Sequence, residues 1–159
     1  MSLTQQALTE LQSARNYFNR STRNLTEAQS TFAPADGMMT AAQQVAHTAH
    51  TIDWFVQGAF RPEGFDLNWG EQAKIVGSYT SLEQARAWFE RAVASAAARI
   101  ESLGDAELLT PVADGPIMGG LPRMAIFGAI TDHTAHHRGA LTVYARLNGI
   151  VPPMPYMDA

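Results

Sequence analysis

The chain reads as an all-α fold, a four-helix bundle, on three observations. Apolar residues recur at three- and four-residue intervals in four separate stretches. Residues that start and stop helices stand at the edges of those stretches: Thr40 with Gln43, Ser81 with Gln84, Asn148 with Gly149. Between the stretches, no pair of alternating segments reads as strands. With 159 residues and 46% hydrophobic content, the chain is long enough to bury a core as one domain over 1–159.

The first helix is predicted from about Thr4 to Arg23, with Leu8, Leu11, Ala14, Tyr17 and Phe18 forming its apolar face. Asn24 to Met39 reads as a loop punctuated by Pro34, Asp36 and Gly37. A capping box at Thr40 and Gln43 opens the second helix, on which Val45, Ala49, Ile52 and Val56 make an apolar stripe. At about 100° per residue, His47 and Trp54 fall on nearly the opposite side, with His50 about 60° from His47. A helix apolar on one face and carrying His and Trp on the other reads as enclosed on both sides, the second side lining a cavity.

Arg61 to Thr80 is rich in Gly and Pro, and its Phe65, Leu67 and Trp69 suggest a covering loop long enough to run the length of a bundle. The third helix is expected from Ser81 to Leu103, with Gly104 as terminator and Leu82, Ala85, Phe89, Val93, Ala96 and Ile100 facing the core. Pro111 to Gly120 breaks the pattern. The fourth helix is expected to open near Leu121 and Pro122, proline being tolerated in a first turn, and to end at Asn148 and Gly149.

A formal charge of −4 and eleven scattered Lys and Arg residues give no basic stripe for a phosphate backbone, so nucleic acid is not an expected partner. No apolar run approaches the roughly 20 residues that span a bilayer, and the amino-terminal residues lack a signal-like pattern. The expectation is a cytoplasmic protein without a membrane partner. Cysteine is absent, which excludes disulfides, a cysteine nucleophile and thiolate metal sites. A bound metal would have to use nitrogen and oxygen donors.

Ile130, His133, His137, Leu141 and Tyr144 recur along the inward stripe of the last helix. His133 and His137 are one turn apart, with Cβ atoms about 6 Å apart, so two imidazoles can point at one divalent ion. A polar side chain on an inward stripe needs a partner. The remaining histidines outside this helix, His47 and His50, offer the other half of such a site. His-x-x-x-His alone is a weak signal, since short histidine clusters are often merely solvated. Position 134, where a zinc-protease helix carries its glutamate base, is Thr134, so a protease is excluded. His136, four residues after Asp132, reads as one half of a surface Asp–His pair. Arg138 reads as a cover over the bundle surface. Trp54, Tyr144, Met38 and Met39 could line a cavity, although their helical spacing by itself reads as plain core.

The segment HTAHHRGALTVYARLNGIVPP resembles the last helix and tail of the DinB-like (damage-inducible protein B, YfiT-like) four-helix-bundle proteins, and MMTAAQQVAHTAHTIDWF resembles their second helix. The resemblance spans essentially the whole chain and is most specific at the carboxyl-terminal motif. It implies an up-down-down-up bundle with a divalent ion held by three histidines, which carry over to His47, His133 and His137. The family often has glutamine after Arg-Gly, where this chain has Ala140.

The resemblance further implies a metal-dependent enzyme that activates a low-molecular-weight thiol, a thiol-dependent transferase or isomerase. The ion would be zinc or nickel, with iron or manganese as alternatives, and the thiol a co-substrate. A metal-dependent hydrolase and a non-catalytic metal-binding stress-response module are the rival readings. A third treats the histidines as a polar seam in a dimeric bundle. No general base is evident, because helix rotation points neither Asp53 nor Asp132 clearly at the ion. A homodimer is expected from the resemblance and from Phe65, Trp69, Met154, Pro155 and Tyr156 in loop-like segments.

Overall fold

A computed structural model describes residues 1–157. Four long helices carry the fold: α1 (Leu3–Thr22), α2 (Ala41–Phe60), α4 (Leu82–Glu101) and α6 (Ala125–Leu147). Two short ones, α3 (Trp69–Gly77) and α5 (Asp105–Leu109), interrupt the connections. Among the described residues no helix is long and apolar enough to cross a membrane.

Contacts near the helix ends fix the directions. Ser30 accepts the Ala42 N–H on its carbonyl and the Leu82 N–H on its hydroxyl, so α2 and α4 start at the same end and run parallel. The Arg86 guanidinium near the start of α4 donates to the carbonyl of Thr22 at the end of α1, over 2.7 Å. At the far end, the Thr4 hydroxyl donates to the carbonyl of Leu103 just past α4, which makes α1 antiparallel to α4. Arg123, just ahead of α6, donates to Ala59 near the end of α2, while Tyr144 near the end of α6 meets Gln44 near the start of α2. The order is therefore up-down-down-up. Around the bundle α1 neighbours α4 and α6, and α2 neighbours α4 and α6, leaving α1 and α2 on one diagonal.

Carboxylates from outside complete the starts of two helices. The Asp105 carboxylate accepts the Leu3 and Thr4 N–H groups at the start of α1, which holds this carboxyl below its ordinary pKa. Glu27 does the same for the Glu83 N–H at the start of α4. The Thr40–Gln43 capping box forms in both directions, whereas Ser81 accepts from the Gln84 N–H without the reciprocal bond. At the end of α6, Gly149 takes φ 71°, and the Gly149 and Ile150 N–H groups return to Arg146 and Ala145 in a Schellman closure.

Four boundaries differ from expectation. The 24–39 loop holds a single 3₁₀ turn at Glu27–Gln29. The covering segment contains a nine-residue helix, α3, capped by the Asn68 side chain on the Glu71 N–H. Gly104 does not terminate α4, which closes at Ser102; it precedes α5 instead. The last helix begins at Ala125 and not near Leu121, because the flanking backbone is taken: the Val112 N–H donates to Leu121 and the Arg123 N–H to Thr110, an antiparallel bridge between Pro111 and Pro122.

The core lies along all four long helices, with Phe18 of α1 stacked on Phe89 of α4 at 4.6 Å between ring centroids. Beside Val45 and Ile52, α2 buries four alanines completely, Ala41, Ala42, Ala46 and Ala49, which lets neighbouring helices approach closely. Of the residues expected at a dimer face, Trp69, Met154 and Tyr156 are exposed. Phe65 is not: its ring packs on Trp54 and Phe55.

Candidate metal centre

Because α2 and α6 are antiparallel neighbours, the middle of one meets the middle of the other. His133 Nε2 lies 3.2 Å from His47 Nε2 and 3.2 Å from His137 Nε2. One ring nitrogen from each of the three residues lies within 4.8 Å of the other two. His137 is buried, 7% exposed, and the other two are half-buried. The expected trio is thus brought together, His47 and not His50 completing it.

The orientation of His137 follows from a chain of hydrogen bonds that ends on a group able only to accept. The Tyr144 hydroxyl donates to the Met39 carbonyl over 2.8 Å. Its oxygen then accepts from the Gln44 side-chain amide at 3.2 Å, which turns the Gln44 carbonyl toward His137 Nδ1. Nδ1 must therefore carry the proton and donate to Gln44, leaving the Nε2 lone pair directed at the other two imidazoles. Gln44 was not picked out by sequence reasoning, although a buried glutamine one turn before His47 in an Ala/Val run was a signal. The position after Arg-Gly is Ala140, and on α2 Gln44 supplies the orienting bond.

Burial, and then the neighbouring imidazoles, hold His133 down at about 4 and His137 at about 3. His47 is lowered from its ordinary value by burial and by the nearby His50 and His136. Near neutral pH all three rings are uncharged, the state in which imidazole can ligate.

A cavity of about 550 Å³ opens on this cluster, with His47 and His133 in its wall. Trp54, Met38 and Met39 line it, whereas Tyr144 stays in the core with Gln44. His50 lines it too, its ring edge-on to Trp88 at 5.9 Å. Burial lowers the pKa of His50 against the pull of Asp53 and Asp66. The Asp53 carboxylate accepts from Trp88 Nε1 at 2.8 Å and does not line the cavity. Asp132 is exposed on the surface of α6. Among the described residues no hydrogen bond or ion pair joins Asp132 to His136, whose ring instead meets His137 edge-on at 4.8 Å. Arg138 covers the surface, its guanidinium 5.8 Å above the Tyr17 ring.

An up-down-down-up bundle with converging imidazoles beside a cavity defines a class of helical proteins equipped with a metal-competent three-histidine cluster. The family model of the DinB superfamily matches residues 10–141, and the chain belongs to that superfamily. No curated protein matches it significantly. The fold is similar to that of YfiT from Bacillus subtilis, described as a probable metal-dependent hydrolase with an unusual four-helix bundle topology. That likeness has 16% identity and a TM-score of 0.67, covering 92% of this chain and 88% of YfiT. A crystal structure of a Streptococcus pneumoniae protein is similar at 12% identity and a TM-score of 0.70, covering 92% of this chain and 91% of that one.

Proposed function

We propose that His47, His133 and His137 hold one divalent ion, zinc or nickel ahead of iron or manganese, and that the protein is an enzyme activating a low-molecular-weight thiol for transfer or isomerisation. The observation that carries the metal reading is the direction of the Nε2 lone pairs. With the His137 proton committed to Gln44, the three Nε2 atoms have at most one or two protons to share, and His133 can donate to only one of its two neighbours. At least one pair is left without a hydrogen bond, lone pair against lone pair or N–H against N–H, and a cation that takes all three lone pairs relieves it. Three nitrogen donors and no sulfur suit borderline divalent ions.

A divalent ion at this position supplies Lewis acidity, favouring the deprotonated form of a thiol or a water brought to it. The cavity wall favours the thiol. No carboxylate among the described residues lines it to act on water, and a thiol, far more acidic than water, asks for less assistance. Residues of the chain supply the rest: Gln44 and Tyr144 hold the His137 ring, and His50, neutral near pH 7, can accept the thiol proton. A second reading, hydrolysis of a substrate with His50 as base, draws on the same residue and on the description of YfiT.

Metal analysis of protein purified without chelator, then cobalt substitution and thiol titration, tests the proposal. A sulfur-to-metal charge-transfer band and conjugation of thiol to an electrophile are expected. Ester turnover that needs metal and His50, with no such band, would assign the site to hydrolysis. Binding of no divalent ion at micromolar concentration would remove both.

A further inference from the structure

We infer that the cavity beside the three histidines is built for an uncharged molecule with an aromatic or similarly apolar body, and discriminates against carboxylate-bearing thiols such as glutathione. The part concerning thiols rests on the metal-site reading above; the part concerning the wall does not. At about 550 Å³ the space lies within the range of small-molecule sites. Its wall is made by Trp54 and Phe55 of α2, Trp69 of α3, and Met38 and Met39 from the loop before α2. Methionine and aromatic side chains together adapt to flat apolar bodies.

Charge is what the wall lacks. None of the residues lining the cavity is Lys, Arg, Asp or Glu. The charged residues of α3, Glu71 and Lys74, lie 3.6 Å from each other with side chains 57% and 80% exposed, away from the cavity lining. The two side-chain amides in the lining are engaged as well: that of Gln43 donates to the Gly77 carbonyl and that of Gln72 to the Asp66 carbonyl. A carboxylate entering here would lose water and find no Lys or Arg in the wall, and the one cation proposed, the ion at the histidines, is taken up by the thiolate; an apolar ring meets no such cost.

The wall is also pre-formed. Trp54 Nε1 donates to the Asp66 carbonyl at 2.7 Å, and Phe65 backs the Trp54 ring at 4.6 Å between centroids. Trp69 lies 5.6 Å from Trp54 yet is 55% exposed, so more than half of a large aromatic side chain at the cavity is left uncovered by the described residues. A wall whose central ring, Trp54, is already held spends less binding energy on ordering and favours ligands that cover it.

Two measurements test this. In the first, metal-free protein is titrated with N-phenyl-1-naphthylamine, a neutral fluorophore. Micromolar binding that weakens tenfold or more in Trp54→Ala or Trp69→Ala is expected, and absence of binding, or binding indifferent to both substitutions, overturns the inference. In the second, cobalt-substituted protein is titrated with benzyl mercaptan and with glutathione, which share a thiol and differ in charge and body. The sulfur band should appear at concentrations at least tenfold lower with benzyl mercaptan, and equal or tighter glutathione binding overturns the inference. Ala73→Arg, an exposed position on α3 that lines the cavity, should raise glutathione affinity about tenfold by adding the missing cation. If it leaves glutathione unchanged, the lack of a cation is not what excludes it, and the inference falls. Protein that binds the naphthylamine as expected but gives no band with either thiol upholds the apolar wall and removes the thiol reading.

Discussion

The Tyr144 hydroxyl gives its proton to the carbonyl of Met39 over 2.8 Å, and that bond sets which nitrogen of His137 is protonated. A backbone carbonyl can only accept, so the direction of every later bond is decided: Gln44 amide to Tyr144 oxygen, His137 Nδ1 to Gln44 carbonyl. The core thereby fixes the tautomer of one imidazole before any ligand arrives.

Gln44→Leu should weaken metal affinity about 10–100-fold, the usual effect of losing an orienting partner of a metal ligand. Helix content should be kept, since Gln44 sits within α2 and leucine is a good helix former. Tyr144→Phe removes the far end of the relay and should cost less affinity, together with about 1–3 kcal/mol of stability from the stranded amide of Gln44. Isothermal titration on both variants checks this; parental affinity in Gln44→Leu would show that the relay does not orient His137.

His47→Ala, His133→Ala and His137→Ala should each abolish tight binding of zinc or nickel, while His136→Ala and His50→Ala retain it. The first three contribute the converging nitrogens; His136 is exposed and His50 lies one turn along α2 in the cavity wall. Loss of metal in His50→Ala with retention in His47→Ala would reverse the assignment on α2. Saturating metal at about 100 times its Kd should add about 2.7 kcal/mol of stability to the parent and none to the three ligand variants.

The helices were legible because burial imposes a 3.6-residue period, and α1, α2, α4 and α6 each bury one broad face. His133 and His137 were legible for the same reason. The choice between His47 and His50 was not, since α2 contacts α3, α4 and α6 and so has no single outward face; resemblance to a family motif made it. Gln44 escaped because its partner Tyr144 lies 100 residues away on another helix. The helix α3 escaped because it buries one residue, Val76, too little to leave a period. Pro122 suggested a helix start by local preference, and pairing across to Pro111 overrode it.

Metal-free protein should lose stability on acidification in a defined window. Above the ordinary histidine value of 6.5 the rings are neutral in folded and unfolded chains, and their contribution does not change with pH. Below it the unfolded chain takes up protons that the folded site refuses until about pH 4 for His133 and about pH 3 for His137. Stability should therefore fall from about pH 6.5 down to these values. The fall should be shallower in a His133→Gln, His137→Gln double variant, which has no such protons to take up. Thermal melts across this range check it, and parallel slopes for parent and variant would count against buried neutral imidazoles.

Gly58→Ala sets helix propensity against packing. Gly58 lies inside α2, where alanine is better by about 1 kcal/mol. A Cβ there would stand 2.3 Å from Cδ1 and 2.6 Å from Cγ of Phe65, so the whole ring must move, not only its tip. Overpacking of that kind costs about 1–3 kcal/mol, enough to cancel or exceed the propensity gain. Phe65 backs Trp54, and a displaced ring would loosen the cavity wall as well. The expected result is a Tm at or below the parent's and a changed Trp54 fluorescence. Phe65→Ala should be destabilising alone, yet adding Gly58→Ala to it should raise Tm, because the clash has gone and only the propensity gain remains. That reversal of sign in a double-mutant cycle identifies the Gly58–Phe65 contact as what holds the wall. A single Gly58→Ala variant more stable than the parent would show that Phe65 yields freely and that the wall is not a fixed surface.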